Sequence, residues 1–210
     1  MTINRELWLK ESFTAKSKTP NWPCPICHNG IIQKDGESTK QLYSKETEKG
    51  DRNLMYSSDA IAEFRFHGYL KCSNCLERVV IAGKGNVQDS QGNVTRAGFK
   101  GDRYSVFYPK YFEPHLSIFT ITENIPLSVA SELNAAFSTF WIDNGACGNK
   151  IRTAIEELLT DQKVKRTYLN KKKKRRSSYS LHERIEKFGA THPDTANHLL
   201  AIKWIGNSGT

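Results

Sequence analysis

This 210-residue chain contains two short pairs of cysteine residues, and their thiols are its clearest candidates for metal binding. Each pair follows a C-x-x-C pattern, and the four residues are Cys24, Cys27, Cys72 and Cys75. Two intervening residues let both sulfur atoms of a tight turn face one centre, and two such turns provide a tetrahedral set of four thiolates. The spacing therefore predicts a structural Zn2+ site. Because protein thiolates fill all the positions around the ion, we expect no catalytic position on it.

The alternative for these cysteines is a pair of disulfide bonds. No apolar run approaches the roughly 20 residues that a membrane span requires, and residues 1–10 lack the apolar core of a signal peptide. We therefore expect a cytoplasmic protein with no membrane partner, in which thiols stay reduced and paired cysteines favour metal. His28 and His67 lie near the pairs, and we interpret them as turn residues rather than ligands. Cys147 is isolated on an apolar helix face and is interpreted as a core residue.

The formal net charge of +9 is concentrated in one segment. Residues 163–176 contain nine Lys and Arg residues and no acidic residue, whereas the rest of the chain has 22 basic and 22 acidic residues. Clustered cations bind polyanions by releasing counterions, so the segment is a candidate phosphate-binding loop for DNA or RNA. A solvated loop between helices, without a ligand, is an equally good interpretation. The densest run consists of Lys171, Lys172, Lys173, Lys174, Arg175 and Arg176.

Short extended segments around the cysteine pairs predict a zinc ribbon at residues 19–82, after an N-terminal extension at residues 1–18. Within it, Gly30 is placed to turn the chain back through a positive φ. Residues 83–121 combine a stretch rich in Gly, Asn, Gln and Ser with an aromatic stretch that contains two prolines. Because proline donates no hydrogen bond to a sheet, we expect a linker followed by an extended aromatic arm.

The hydrophobic period becomes helical near Pro126. Apolar residues then recur every three or four positions in four segments, which predicts a bundle of four helices within residues 122–210. Ser180 and Glu183 have the spacing of a capping box that opens one of these helices.

Three segments resemble an uncharacterised bacterial domain family that is often found beside or fused to restriction endonucleases and other defence modules. They are residues 108–114 (YPKYFEP), 149–159 (NKIRTAIEELL) and 201–207 (AIKWIGN). That family is considered similar to the HEPN superfamily, so the resemblance implies an α+β protein: a small N-terminal zinc ribbon with short strands, then a C-terminal HEPN-like helical bundle. It also implies a homodimer formed through helices, and partner proteins from a defence system.

Active HEPN ribonucleases use an Arg, commonly followed by a polar residue, and then a His. Here Gly206, which has no side chain, stands at the position of the Arg before Asn207, and the histidine would come after Thr210. We therefore expect no catalytic residue in this sequence. The leading hypothesis is a non-catalytic, zinc-containing protein that binds nucleic acid or a partner in prokaryotic defence. A metal-independent ribonuclease toxin that needs a histidine beyond Thr210 is one alternative. A structural or dimerising regulatory subunit is the other.

Overall fold

The chain divides into two compact units, residues 1–118 and residues 119–210. The structure, a computed structural model, describes residues 5–36, 38–45, 47, 62–89, 93–95, 98–100, 103–170 and 174–207. The strands are β1 Phe13–Thr14, β2 Ile32–Lys34, β3 Lys40–Tyr43, β4 Glu63–Cys72, β5 Arg78–Asp89, β6 Asn93–Thr95, β7 Gly98–Lys100, β8 Arg103–Glu113, β9 Thr167–Asn170 and β10 Arg175–Ser178. The helices are α1 Arg5–Trp8, α2 Leu127–Thr139, α3 Asn144–Asp161, α4 Leu181–Gly189 and α5 Pro193–Asn207.

A six-stranded antiparallel sheet forms the centre of the first unit, with the strand order β1–β8–β5–β4–β2. The short strand β3 also pairs with β4, alongside residues 64–67, whereas β2 pairs with β4 at residues 70–72. Both short strands therefore lie along one edge of β4, and β5 occupies the other edge. β6 and β7 pair with each other as a separate hairpin.

Alternating burial along β4 shows which face of the sheet forms the core. Phe64, Phe66 and Leu70 are buried, whereas Arg65, His67 and Tyr69 point to the opposite face, as the two-residue period of a strand requires. The ring of Phe107 on β8 lies between those of Phe66 and Phe13, with centroids 5.0 and 5.1 Å away. Aromatic rings at these separations pack efficiently, so this cluster supplies much of the buried apolar surface of the unit.

Two glycines in β5 make room for that aromatic cluster. Gly85 pairs with Phe64, and a Cβ atom on Gly85 would overlap the Phe64 ring. Gly83 pairs with Phe66, and a Cβ atom there would overlap the Tyr108 carbonyl at the register shift between Ala82 and Gly83. Glycine is therefore required at both positions of this central strand, because the neighbouring strands leave no space for a side chain.

The described residues of the second unit form four helices and the β9–β10 hairpin, which lies between α3 and α4 in the chain. Its core includes Ile155, Leu159, Leu181, Ile185, Ala196 and Leu199, contributed by α3, α4 and α5. The predicted capping box is confirmed, because Ser180 Oγ accepts from the Glu183 backbone while the Glu183 side chain accepts from the Ser180 backbone. Among the helices in the described ranges, none has both the length and the apolar character needed to span a membrane.

The predicted fold class is wrong. The first unit is not a small ribbon with short strands, because β4, β5 and β8 contain 10, 12 and 11 residues. Nor do residues 122–210 form a clear helical bundle of the HEPN-like kind, since a β-hairpin interrupts the run of short helices. Residues 83–121, expected to be a linker and an arm, contain most of β5 and all of β8. Pro109 fits within β8 because it lies at the register shift, where ladder bonding is already interrupted.

Neighbouring residues of β4 provide a test of this sheet arrangement. We expect Phe64→Ala to lower the free energy of unfolding by about 3–5 kcal/mol, because it leaves a cavity in the aromatic core. Arg65→Ala, one position along on the exposed face, should change it by no more than about 0.5 kcal/mol. Urea unfolding followed by circular dichroism measures both changes. Equal effects of the two substitutions would contradict the assignment of faces.

Candidate metal centre and basic hairpin

The pairing of β2 with β4 brings the two C-x-x-C pairs together. The first pair lies in the loop that precedes β2, and the second begins at the last residue of β4 and forms its turn into β5. Ile32 of β2 is paired with Cys72, and the Ser73 backbone donates to the Ile31 carbonyl at 2.9 Å. Sheet hydrogen bonds, rather than the cysteines alone, therefore hold the two turns side by side.

Four cysteine sulfur atoms lie within 4.8 Å of one another, an arrangement that could hold a metal ion. The Sγ atoms of Cys24 and Cys75 are 3.7 Å apart, and so are those of Cys27 and Cys72. A tetrahedral site with metal–sulfur bonds of about 2.3 Å has sulfur atoms about 3.8 Å apart, whereas a disulfide bond measures about 2.0 Å. All four are free thiols. The geometry therefore fits a four-thiolate metal site and does not support the disulfide alternative.

The two cysteine turns have matching backbone conformations. The residue after each pair, His28 or Leu76, has a positive φ, at 56° and 63° respectively. In both turns the backbone N–H of the first cysteine donates across the turn to a carbonyl oxygen, at 2.8 and 2.9 Å. His28 is therefore a turn residue, as predicted, whereas His67 lies within β4 on its exposed side.

Gly30 is required for space rather than for its φ angle. Its φ lies outside the left-handed region, so the prediction of a positive φ at this position is wrong. A Cβ atom on Gly30 would lie 2.5 Å from Cys72 Sγ and 2.8 Å from Asn74 Cβ. The second cysteine turn therefore packs directly against the backbone of the first, and any side chain at residue 30 would force the turns apart.

Backbone N–H groups point at the sulfur atoms. Those of Asn74 and Cys75 donate to Cys72 Sγ at 3.3 and 3.4 Å, and that of Ile26 donates to Cys24 Sγ at 3.4 Å. Hydrogen bonds of this kind stabilise the charged thiolate, which is the form that binds a metal ion.

The thiols have widely separated pKa values because they lie so close together. Hydrogen bonding from the Asn29 backbone is the main cause that lowers the pKa of Cys27 to about 5. The Glu77 backbone N–H lowers the pKa of Cys75, but desolvation and the neighbouring thiols outweigh it and raise this pKa to about 12. Adjacent thiolates repel one another, and a cation at their centre removes that repulsion.

The described part of the basic segment forms a β-hairpin, which differs from the loop expected between helices. β9 pairs with β10 from Thr167 opposite Ser178 to Asn170 opposite Arg175. Lys174 has a positive φ of 46° just before β10. The side chains of Lys174, Arg175 and Arg176 are exposed. The remaining predicted residues, Lys171, Lys172 and Lys173, lie outside the described residues.

Contacts at the base of the hairpin fix it to two helices. The rings of Tyr168 and Tyr179 lie 4.6 Å apart, and Lys187 Nζ of α4 lies 4.4 Å from the Tyr179 ring centroid. Arg166, just before β9, accepts through its carbonyl from the Tyr179 backbone at 2.9 Å. Its guanidinium group pairs with Glu157 of α3 at 2.7 Å. Lys174, Arg175 and Arg176 therefore belong to a hairpin whose base is attached to α3 and α4.

Sequence reasoning missed Arg184, a buried arginine beside that base. Only 3% of it is exposed, and it donates to Thr160 Oγ1 at 2.9 Å and to the Val164 carbonyl at 3.3 Å. Arg166 Nε donates to the same Thr160 hydroxyl at 2.8 Å. Burial lowers the pKa of Arg184. Its position three residues after Leu181, on the apolar face of α4, is the sequence signal that could have identified it.

Two further sequence predictions concern the second unit. Cys147 is buried in α3, and its burial raises the pKa of the thiol, so the prediction of a core cysteine is confirmed. Gly206 and Asn207, which occupy the positions compared with the HEPN motif, are the last residues of α5.

Comparisons with known proteins give two family matches. Residues 11–112 match a family described as a domain of unknown function (DUF8608), and residues 134–210 match another (DUF4145). Both cysteine pairs fall within the first match, and the basic hairpin falls within the second. No curated protein and no solved structure matches the chain.

The close packing at Gly30 yields a prediction about metal binding. We expect Gly30→Ala to weaken binding of a divalent thiophilic ion by about tenfold or more, because the added methyl group displaces Cys72 and Asn74. Asn29→Ala is the control, since it removes an exposed side chain and leaves the backbone N–H in place. Competition titration against a chromophoric chelator measures both affinities. Unchanged affinity for Gly30→Ala would show that the two turns do not pack as described.

Proposed function

We propose that this protein is a non-catalytic, zinc-containing protein that binds DNA or RNA. In this proposal the ion holds together the cysteine turns of the first unit, and the basic hairpin of the second unit contacts phosphate groups. The observation that carries the nucleic-acid part is the hairpin, which places consecutive exposed cations on a two-stranded ribbon. The zinc part rests on the four-thiolate geometry.

The donor set favours zinc among the metals that such a site could hold. Four thiolates in tetrahedral geometry suit Zn2+ or iron, whereas Mg2+ and Ca2+ require oxygen ligands. Four protein ligands complete the coordination of Zn2+, which is typical of a structural ion rather than a catalytic one. The exposed Cys75 thiol needs a reducing environment to remain a ligand, so we propose a cytoplasmic location.

The hairpin has the shape and charge to contact a nucleic-acid backbone. A two-stranded β-ribbon fits within the major groove of B-DNA, which is about 12 Å wide. Arg175 and Arg176 are adjacent in β10, so their side chains point to opposite faces of the ribbon. Residues 163–176 contain no acidic side chain that could neutralise them from within the segment. Binding through such contacts depends on phosphate charge and carries no sequence preference of its own.

The biological setting is a proposal that rests on the resemblance of three segments to the defence-associated bacterial family. It comprises a prokaryotic defence system, partner proteins from that system, and a homodimer formed through the helices of residues 122–210. Light scattering of the full chain tests the dimer directly.

A zinc assay tests the metal part of the proposal. We expect protein purified without chelator to contain about one zinc ion per chain, and removal of the ion to lower the thermal stability of the first unit. Cys75→Ser should abolish stoichiometric zinc, because it removes one of the four ligands. Cys147→Ser is the matched control and should retain it. Elemental analysis and thermal scanning provide the measurements, and equal zinc content in the two variants would refute the site.

Salt dependence tests the role of the hairpin. We expect replacement of Lys174, Arg175 and Arg176 by Gln to weaken binding to duplex DNA. The slope of log K against log salt is negative, and it should become less steep by about 0.9 for each phosphate group that the variant no longer neutralises. Fluorescence anisotropy with a labelled duplex measures this slope.

The control for that experiment changes the same net charge elsewhere. Lys10, Lys18 and Lys45 are exposed residues of the first unit, and their replacement by Gln should leave the slope close to that of the unmodified protein. Identical slopes for both triple variants would exclude the hairpin as the contact surface.

A further inference from the structure

The exposed face of the six-stranded sheet carries a second set of aromatic and basic side chains. It is the side of β4 opposite to Phe64 and Phe66, and we call it the outer face. Register pairing assigns its members on four strands. Those that matter for a ligand are Arg65, His67, Tyr69, Lys71, Lys84 and Tyr111.

Two tyrosines on the outer face are unusually open to solvent. Tyr69 is 48% exposed and Tyr111 is 44% exposed. Ala82 of β5 pairs with Tyr111 on one side and with His67 on the other. Neighbouring strands lie about 4.8 Å apart, so Tyr111 and His67 stand about 10 Å apart across a small alanine. The register therefore places a small side chain between Tyr111 and His67 on the outer face.

The Tyr111 ring is also held in place. Its hydroxyl donates to the Glu113 carboxylate at 3.2 Å, two residues along the same strand and on the same face. The hydrogen bond restrains the ring through its hydroxyl group, while 44% of Tyr111 remains exposed. A restrained aromatic side chain loses little conformational entropy when a base stacks on it.

Basic side chains surround these rings. Arg65, Lys71 and Lys84 lie on the two central strands of the outer face. The acidic members among the described residues are Glu63 and Glu113, which lie at opposite ends of the pairing between β4, β5 and β8. Arg78 is paired with Asp35 at 2.6 Å. Asp35 also interacts electrostatically with Lys71, and Glu113 is bonded to Tyr111. The basic residues Lys40, Arg65, Lys71, Arg78 and Lys84 still outnumber Asp35, Glu63 and Glu113, so the net charge of the face is complementary to a phosphate backbone.

Rings and cations together favour a single strand over a duplex. Bases in a duplex are stacked on each other and cannot reach a ring on a protein surface, whereas unpaired bases can. A broad sheet is also too wide to enter a groove that admits one helix or a two-stranded ribbon. Surfaces that combine a cationic track with aromatic side chains are typical of proteins that bind single strands.

We propose that the outer face is a binding surface for single-stranded nucleic acid, on which bases stack against Tyr69 and Tyr111 while Arg65, Lys71 and Lys84 contact phosphates. This inference rests on the proposed nucleic-acid binding but assigns a different surface to a different form of the ligand.

The test compares two double variants of the full chain. Affinities for labelled 12-nucleotide oligothymidine and oligouridine are measured by fluorescence anisotropy, alongside a duplex. Tyr69→Ala with Tyr111→Ala should weaken single-strand binding by about fivefold or more and leave duplex binding unchanged. Tyr69→Phe with Tyr111→Phe is the matched control, because it keeps both rings and should keep most of the affinity. Equal single-strand affinity for the Ala variant and the unmodified protein would overturn the proposal.

Crosslinking of the unmodified protein provides a measurement that does not depend on any variant folding. An oligonucleotide with 5-iodouracil, irradiated in the complex, should attach to Tyr69 or Tyr111, as identified by mass spectrometry. Attachment confined to residues 174–178 would place single strands on the hairpin and overturn the proposal.

The hairpin variant separates failure of this inference from failure of the proposed function. If the Lys174, Arg175 and Arg176 replacements reduce all binding while the tyrosine replacements reduce none, the hairpin proposal stands and the outer face is wrong. If only the tyrosine replacements reduce single-strand binding, the outer face stands and the hairpin role is wrong.

Discussion

Pairing of the short strand β2 with the end of β4 is the constraint on which the first unit depends. It sets Ile32 beside Cys72 and thereby places two turns, distant in sequence, with all four sulfur atoms within 4.8 Å. Gly30 permits that contact because it has no side chain between the turns. A metal ion bound there would link the loop before β2, the edge strand β2 and the β4–β5 hairpin. It would offset much of the entropy cost of closing the long connection between the two cysteine pairs.

The two faces of the sheet have separate roles because successive residues of a strand point in opposite directions. One face is occupied by packed aromatic rings around Phe64, Phe66 and Phe107, and it stabilises the unit. The other presents tyrosines and cations to solvent without weakening that core. The first unit therefore has the four-cysteine cluster at one end of β4 and an exposed polar face along the same strand.

The described residues of the basic hairpin are fixed at its base. Lys174, Arg175 and Arg176 carry like charges that repel one another, so charge alone would not order them. Order comes from the base, where Tyr179 contacts Tyr168 and Lys187, and where Arg166 and the buried Arg184 share the hydroxyl of Thr160. These contacts join the hairpin to α3 and α4 and limit the conformational entropy that binding would cost.

Features that depend on local spacing could be predicted from the amino-acid order alone. The cysteine pairs, the Ser180–Glu183 capping box and the buried position of Cys147 all follow from residues a few positions apart. The fold of the first unit did not follow, because Gly83 and Gly85 read as part of a flexible linker and Pro109 reads as a strand breaker. The three-dimensional arrangement was needed to show that Phe64 and Phe66 fill the space above those glycines, and that the proline lies where the register shifts. Pairing between distant strands decides such positions, and a pattern read along one segment contains no information about its partner.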